Sequence, residues 1–181
     1  MRGLGRRYRP DAAAVRQSPQ ERGIFTVQYP EEKLAIPERF RYLPFLLYEP
    51  DTGYERCTAC GICAKVCPPQ CIWIVQAKDE NGKALPKASE FYIDMSICMS
   101  CGFCAEFCPF DAIKMDHDYE LSGYERRESW IYDYPKLLKP TTYYAQIHPL
   151  DWAAEEEERR RKEEARAKRA APAPAAPPSP G

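Results

Sequence analysis

Apolar residues along this 181-residue chain come in short pieces instead of long periodic runs. In residues 24–51 such pieces, at 24–27 and 45–48, alternate with prolines at positions 30, 37, 44 and 50. Each proline removes a backbone donor and disfavours helix in the residue before it, so extended backbone is predicted here. This wrapping segment covers either a partner protein or the chain's own core, and the pattern does not distinguish the two.

The middle of the chain predicts short strands and short helical turns. β-Branched and aromatic runs at residues 71–75, 90–94 and 112–115 are of strand type, and residues 79–83 have the composition of a turn. Residues 64–66 and 105–107 suit one helical turn each. The longest apolar segment, residues 42–48, is far shorter than the roughly 20 residues that a membrane-spanning helix needs.

The two ends of the chain differ in charge pattern. Residues 1–23 form a basic arm, which is interpreted either as a contact for an anionic surface or as a solvated terminus. Residues 117–152 predict a second, C-terminal wrapping arm. In residues 153–181 four glutamates at 155–158 each precede an Arg or Lys by four positions, which favours a helix with ion pairs along it. We expect that helix to be solvent-exposed and polar on every side, followed by a disordered Pro/Ala tail.

The composition of the chain limits the classes of function that it can have. The formal net charge of −1 argues against nucleic-acid binding, and 18 prolines with 29% charged residues leave little for a large apolar core. The first residues do not resemble a secretory signal peptide. We therefore expect a reducing compartment, in which the nine cysteines are metal ligands instead of disulfides.

Eight of the nine cysteines form an internal duplication. Residues 57–68 and 98–109 each read C-x-x-C-x-x-C-x-x-x-C-P, with a glycine after the second cysteine. Each cysteine of the first copy recurs in the second copy at one constant offset, so that Cys57 corresponds to Cys98 and Cys67 to Cys108. In this cysteine run, the fourth cysteine binds the other cluster of a two-cluster iron–sulfur protein.

Two [4Fe-4S] clusters with crossed ligands are therefore predicted. The first cluster is assigned to Cys57, Cys60, Cys63 and Cys108, and the second to Cys98, Cys101, Cys104 and Cys67. The alternative metal is zinc, but structural zinc sites usually pair two C-x-x-C units without a third evenly spaced cysteine or a following proline. The crossing would couple metal binding to folding, because each cluster then joins the two halves of the repeat.

The remaining candidate residues have plainer interpretations. Cys71 corresponds to Ala112 in the second copy, which predicts a buried, inert cysteine. His117 and His148 are isolated and are interpreted as surface or hydrogen-bonded histidines. No catalytic residue is assigned, since the sequence carries neither a nucleotide-binding loop nor a nucleophile–base pair, and the chain is interpreted as an electron carrier.

Several segments resemble the chain I subunit family of proton-pumping NADH:quinone oxidoreductase. The likeness covers roughly residues 24–140 and is carried by residues 26–32, 37–41, 55–68, 92–95, 98–109 and 117–121. The resemblance implies an oxidoreductase subunit without bond chemistry of its own, which passes electrons through two [4Fe-4S] clusters toward a terminal cluster and quinone. The electron donor stays open among NADH, reduced ferredoxin and other carriers.

The same resemblance implies partners and a location. The expected partners are peripheral-arm and membrane-arm subunits, including neighbouring iron–sulfur subunits, and not nucleic acid. Membrane association would be peripheral, at the cytoplasmic face of a bacterial inner membrane and less plausibly on the mitochondrial matrix side. The alternative is an eight-iron ferredoxin that is free or bound to a hydrogenase-like or ferredoxin-fed assembly. A non-redox zinc or scaffold protein is the third hypothesis.

These observations predict an α+β fold. Its centre, residues 52–116, is a two-cluster bacterial-ferredoxin-like domain, a pseudo-twofold repeat of short strands and short helices. The flanking divisions are 1–23, 24–51, 117–152 and 153–181, as described above.

Overall fold

The computed structural model of the chain describes residues 29–31, 33, 36–125 and 128–170. It divides into two units, residues 1–37 and 38–181. In the first unit residues 29–31 form a turn with a cis peptide bond between Tyr29 and Pro30. The predictions for the basic arm and for the Pro/Ala tail from residue 171 lie outside the described residues. All that follows concerns the second unit.

The second unit mixes short strands with short helices and ends in one long helix. Its elements are β1 (Pro44–Tyr48), α1 (Ile62–Val66), β2 (Ile72–Lys78), β3 (Ala84–Asp94), α2 (Phe103–Glu106), β4 (Ile113–Met115), a 3₁₀ turn (Glu128–Trp130), β5 (Ile131–Tyr132), α3 (Tyr134–Leu137), β6 (Leu138–Pro140), α4 (Thr141–Ile147) and α5 (Pro149–Ala170). This mixture agrees with the α+β class predicted from the sequence. Among the described residues, no helix is both long and apolar enough to cross a bilayer.

β1 is the middle strand of the first sheet. The strand order is β4–β1–β6, with β1 antiparallel to β4 and parallel to β6. Phe45, Leu46 and Leu47 on β1 are almost fully buried. This part of the wrapping segment therefore packs in the chain's own core, which decides between the two alternatives left open by the sequence.

The second sheet has the order β2–β3–β5, all antiparallel. The β2–β3 hairpin closes through the predicted turn at residues 79–83, where the Asp79 carboxylate accepts from the backbone N–H groups of Asn81 and Lys83. Gly82 in this turn has φ = 77°, a left-handed conformation that glycine adopts without a steric cost. The predicted strands and helical turns are thus confirmed in type, although β2 and β3 extend further than predicted.

One main core links the two halves of the repeat. Its most buried members come from β1, β3, β4, α3 and the residues directly before β2 and β4, and they are Leu46, Cys71, Phe91, Ile93, Ala112, Ile113 and Leu137. A smaller cluster on the far side of β1 contains Phe45, Leu47 and Tyr144, with Tyr143, Ile147 and Trp152 packed against it. Residues 134–147 therefore complete the chain's own core, although the sequence predicted a wrapping arm there.

The prediction that the charged C-terminal helix is polar and exposed on every side is wrong. α5 begins at Pro149, before the predicted start at residue 153, and proline is well suited to the first helical position. Asp151, Trp152, Glu155 and Arg159 are half-buried and lie on one face. The expected i, i+4 pairs form further along, between Glu157 and Arg161 (2.7 Å) and between Glu158 and Lys162 (2.8 Å).

α5 docks through buried cations of the core. Lys114 on β4 donates to Glu155 at 2.6 Å, and its ammonium lies 5.1 Å from the centre of the Tyr144 ring. Arg56 donates to Glu49 and stacks on Trp152, with 5.7 Å from its guanidinium carbon to the ring centre. Burial alone would raise the pKa of Glu49, but hydrogen bonds from Arg56 and Thr141 outweigh it and lower that pKa. Charged residues of α5 thus pair with residues of the core as well as with one another.

Candidate metal centres

The first cysteine cavity draws its lining from both copies of the motif. Cys57, Cys60 and Cys63 of the first copy line it together with Cys108 of the second copy. The cavity measures about 340 Å³ with its opening to solvent included, and it is closed on the core side by Leu46, Phe91 and Ile113, among other apolar residues. The structure therefore brings together the four cysteines that the sequence assigned to the first cluster.

The second cavity has the reciprocal composition. Cys98, Cys101 and Cys104 of the second copy line it together with Cys67 of the first, and it encloses about 310 Å³. Cys71 also lines this cavity, as does Met115 on β4. All nine cysteines are free, so none is used in a disulfide.

The two motif loops share an unusual backbone. Left-handed φ values recur at matching positions of the two copies: Ala59 (56°) and Ser100 (53°), Gly61 (75°) and Gly102 (81°), Gln70 (52°) and Asp111 (49°). A non-glycine residue in this region costs about 1–2 kcal/mol, so the chain stores strain in both loops. Gly61 and Gly102, each directly before a helix, meet the same requirement without that cost. With this backbone conformation, each loop surrounds its cavity and directs backbone N–H groups toward the cysteine sulfurs.

Backbone N–H groups reach the cysteine sulfurs at matching places. The N–H of Cys71 lies 3.5 Å from Cys67 Sγ, and that of Ala112, its counterpart, lies 3.3 Å from Cys108 Sγ. The N–H groups of Ala59 and Ser100 likewise bond to the sulfurs of Cys57 and Cys98. Such donors stabilise negative charge on buried sulfur, which a metal-bound thiolate carries.

The ionisation of the thiols fits a metal-binding role. Burial raises the pKa of Cys63 to about 12, and burial together with the neighbouring thiols of Cys98 and Cys63 raises the pKa of Cys104 to about 12. Without a metal these thiols hold their protons at neutral pH, so binding a metal must release them.

Cys71 was predicted to be buried, and its side chain is 1% exposed. Its sulfur lies 3.4 Å from that of Cys67, and it also donates to Cys98. That hydrogen bond lowers the pKa of Cys98 and raises the pKa of Cys71 itself. Cys71 therefore contacts the second site directly, which its equivalence to Ala112 did not indicate.

Arg41 is a feature of the second site that sequence reasoning missed. Its guanidinium donates to the Cys101 carbonyl at 2.8 Å and pairs with Glu106. The side chain lies against Gly102, where a Cβ would meet Arg41 Cδ at 2.9 Å. At Gly61 no described atom lies within 4 Å of the equivalent Cβ position. Arg41 thus fills the space beside Gly102, whereas the equivalent position beside Gly61 is open.

The two histidines lie together, outside both cysteine cavities. His117 Nε2 is 2.9 Å from the Glu38 carbonyl, and His148 Nε2 is 3.1 Å from the Met115 carbonyl. The centres of the two rings are 4.7 Å apart. Both are hydrogen-bonded, as predicted, but His148 is 5% exposed and so is a buried residue.

The chain resembles known iron–sulfur proteins. Residues 56–112 match the family model described as a 4Fe-4S dicluster domain. The donor chemistry of the two cavities fits such groups, because each presents at least four cysteines.

Curated relatives extend the likeness beyond the cysteine motifs. NADH-quinone oxidoreductase subunit I 1 of Nitrosococcus oceani is 48% identical over 113 residues, which are 62% of this chain and 61% of the relative. Subunit I of Pseudomonas savastanoi pv. phaseolicola is 45% identical over 113 residues (62% and 60%), and subunit I 2 of Cereibacter sphaeroides is 50% identical over 101 residues (56% and 60%). The match therefore spans about 60% of each relative. The resemblance predicted from the sequence is confirmed.

Proposed function

We infer that this chain is an electron-transfer subunit of a membrane-associated, proton-translocating NADH:quinone oxidoreductase. The observation that carries this inference is the crossed lining of the two cavities, each with three cysteines of one motif and the fourth of the other. The similarity to subunits I of such enzymes supports the choice of assembly. Electrons would pass from the NADH side through this chain toward a terminal cluster and quinone.

The eight cysteines are proposed as the ligands of two [4Fe-4S] clusters. Cys57, Cys60, Cys63 and Cys108 would hold the first cluster, and Cys98, Cys101, Cys104 and Cys67 the second. When bound, a cluster of this type supplies reversible one-electron redox chemistry. The chain's own residues supply the thiolates, the N–H donors that stabilise them, and the apolar walls that limit access of water.

The matching backbone angles of the motif loops support a pseudo-twofold, bacterial-ferredoxin-like arrangement of the centre. The two sites then share a fold but differ in their surroundings, because the ion pair of Arg41 and Glu106 lies beside the second loop.

Exposed apolar side chains around the motifs support a fixed position within an assembly. Met99, Phe103, Phe107 and Phe110 are between 42% and 62% exposed, and all four lie on the second motif or next to it. Aromatic residues and methionine are enriched in the centres of protein interfaces. A subunit that relays electrons to a neighbour needs such a covered face close to its cluster. The expected neighbours are other iron–sulfur subunits of the peripheral arm, with the membrane arm reached through the complex.

Fractionation of native membranes tests whether the chain belongs to such an assembly. Membranes from the source organism are solubilised in mild detergent and separated by size, and the untagged chain is followed by antibody. We expect it to run with a large assembly that also contains flavin and oxidises NADH. As a control, the same preparation is repeated in high salt, which weakens rim ion pairs but leaves a large apolar interface in place.

Two outcomes would count against the assignment. A chain that runs as a monomer in the gentle extract would favour a free eight-iron ferredoxin. A large assembly that takes electrons from reduced ferredoxin, but not from NADH, would agree with the proposed electron relay but would show that NADH is not the donor.

A further inference from the structure

The buried imidazole of His148 faces a carboxylate without a hydrogen bond between them. His148 Nδ1 lies 3.6 Å from Asp151 Oδ2 and has no hydrogen-bond partner among the described residues, although the residue is 95% buried. A distance of 3.6 Å exceeds the usual N–H···O range of about 2.7–3.2 Å. Glu38 supplies a third ligand-type atom, and the three atoms all lie within 4.8 Å of one another.

The hydrogen bond on the other side of the ring fixes its tautomer. His148 Nε2 is 3.1 Å from the Met115 carbonyl oxygen, which can only accept, so Nε2 carries the hydrogen. In the neutral ring, Nδ1 then presents a lone pair to the negatively charged carboxylate of Asp151. A divalent cation between the two atoms would accept the lone pair of Nδ1 and balance the charge of the carboxylate. Histidines that bind metals characteristically donate their other ring N–H to a backbone carbonyl, as here.

The carboxylate of Glu38 is held in place from outside the cluster. Its Oε1 accepts from the backbone N–H groups of Leu150 (2.6 Å) and Asp151 (2.9 Å), at the start of α5. Asp151 is also paired with Arg39 at 3.3 Å, but the side chain of Arg39 is 85% exposed. One exposed cation therefore pairs with one of the two carboxylates that lie next to the buried imidazole.

The separation of the His148 and Asp151 ligand atoms suits a tetrahedral divalent ion. Zinc lies about 2.0–2.2 Å from nitrogen and oxygen ligands, so two ligands of a tetrahedral ion are about 3.3–3.6 Å apart. The separation of 3.6 Å between His148 Nδ1 and Asp151 Oδ2 lies at the upper end of this range. His148, Asp151 and Arg39 also line an open, polar cavity of about 880 Å³, which gives an entry path and room for a water ligand.

We propose that Glu38, His148 and Asp151 form a zinc-type divalent metal site that joins the segment before β1 to the α4–α5 corner. This site is distinct from both cysteine cavities, and its existence does not depend on the proposed electron transfer. Its role is structural: the ion fixes the first turn of α5 against the core, where α5 carries Glu155 to the buried Lys114.

Zinc alone is the probe. The full-length, cluster-loaded chain is purified anaerobically, incubated with ZnSO₄ and dialysed, and zinc and iron are then counted by mass spectrometry. We expect about one zinc per chain with the iron content unchanged. Zinc K-edge X-ray absorption should show a shell of nitrogen and oxygen with the multiple-scattering pattern of one imidazole. A sulfur shell would place the zinc at the cysteines and overturn the proposal.

Variants separate the proposed ligands from the surrounding charge. His148→Gln and Asp151→Asn should each weaken zinc binding at least about tenfold. Glu38→Gln tests the site with the least risk to folding, because the amide oxygen still accepts from Leu150 and Asp151. Glu157→Gln, an acidic position on an exposed part of α5, is the matched control and should bind zinc as the wild type does. Zinc below one tenth of an equivalent in the wild type, or equal binding in His148→Gln and Glu157→Gln, would refute the site.

Discussion

Cys108→Ala should remove the EPR signal of the cluster built on the first motif, whereas Cys67→Ala should remove the signal of the other cluster. Cys108 lines the cavity of Cys57, Cys60 and Cys63, although it is distant from them in sequence. Loss of one thiolate leaves an open coordination position and an alanine side chain that cannot replace it. We expect the iron content to fall from about eight to about four atoms per chain in each variant.

Cys71→Ala is the matched control for this experiment. Cys71 is buried beside Cys67, with 3.4 Å between the two sulfurs, but its counterpart in the other copy is an alanine. It should therefore keep both EPR signals, with at most a shift in the signal of the second cluster. If Cys67→Ala and Cys108→Ala lose the same signal, the ligands are not crossed. If either variant fails to fold, Cys→Ser at the same position keeps a weak oxygen ligand and allows the same comparison.

Glu155→Ala should destabilise the cluster-loaded protein far more than Glu156→Ala, although the two residues are neighbours in a run of four glutamates. Glu155 accepts from Lys114 at 2.6 Å and from the Tyr144 hydroxyl at 2.8 Å, and both donors are buried. Removal of the carboxylate leaves Lys114 with Asp111 alone, at 3.1 Å. We expect a cost of about 2–3 kcal/mol, because a buried donor loses its best partner.

The measurement is the thermal midpoint for loss of circular dichroism, compared under anaerobic conditions. For a chain of this size, a cost of about 2–3 kcal/mol corresponds to a midpoint about 4–12 °C lower, whereas Glu156→Ala, an exposed substitution, should change it by less than about 2 °C. The double variant Lys114→Met, Glu155→Ala should recover part of the loss, since it removes the buried charge together with its partner. Equal midpoints for the two single variants would show that α5 is not docked in solution.

The sequence predicts which cysteines the fold brings together, because their positions in each motif are encoded locally. Cysteine spacing, the glycine after the second cysteine and the following proline are all set within one short loop, and the copy at a constant offset supplies the crossing. The strands around the loops are short and β-branched, and the turn at Asp79 follows from composition. These features require no knowledge of distant contacts.

The features that the sequence misses all depend on residues far apart along the chain. α5 has the composition of a solvated helix, and only the positions of Arg56 and Lys114 in the folded core make its inner face an interface. Arg41 reaches the second loop from the segment before β1. The sequence of β1 (Pro44–Tyr48) likewise gives no sign that it becomes the central strand of its sheet. The two strands that pair with it, β4 and β6, lie much later in the chain.

The most direct test of the account is a count of iron and sulfide in the wild-type chain, purified anaerobically and followed through reduction by EPR. The account predicts a brown protein with about eight iron and eight sulfide atoms per chain and two separately reducible [4Fe-4S] signals. A colourless protein that holds zinc at its cysteines and no sulfide, or one that holds a single cluster, would contradict it.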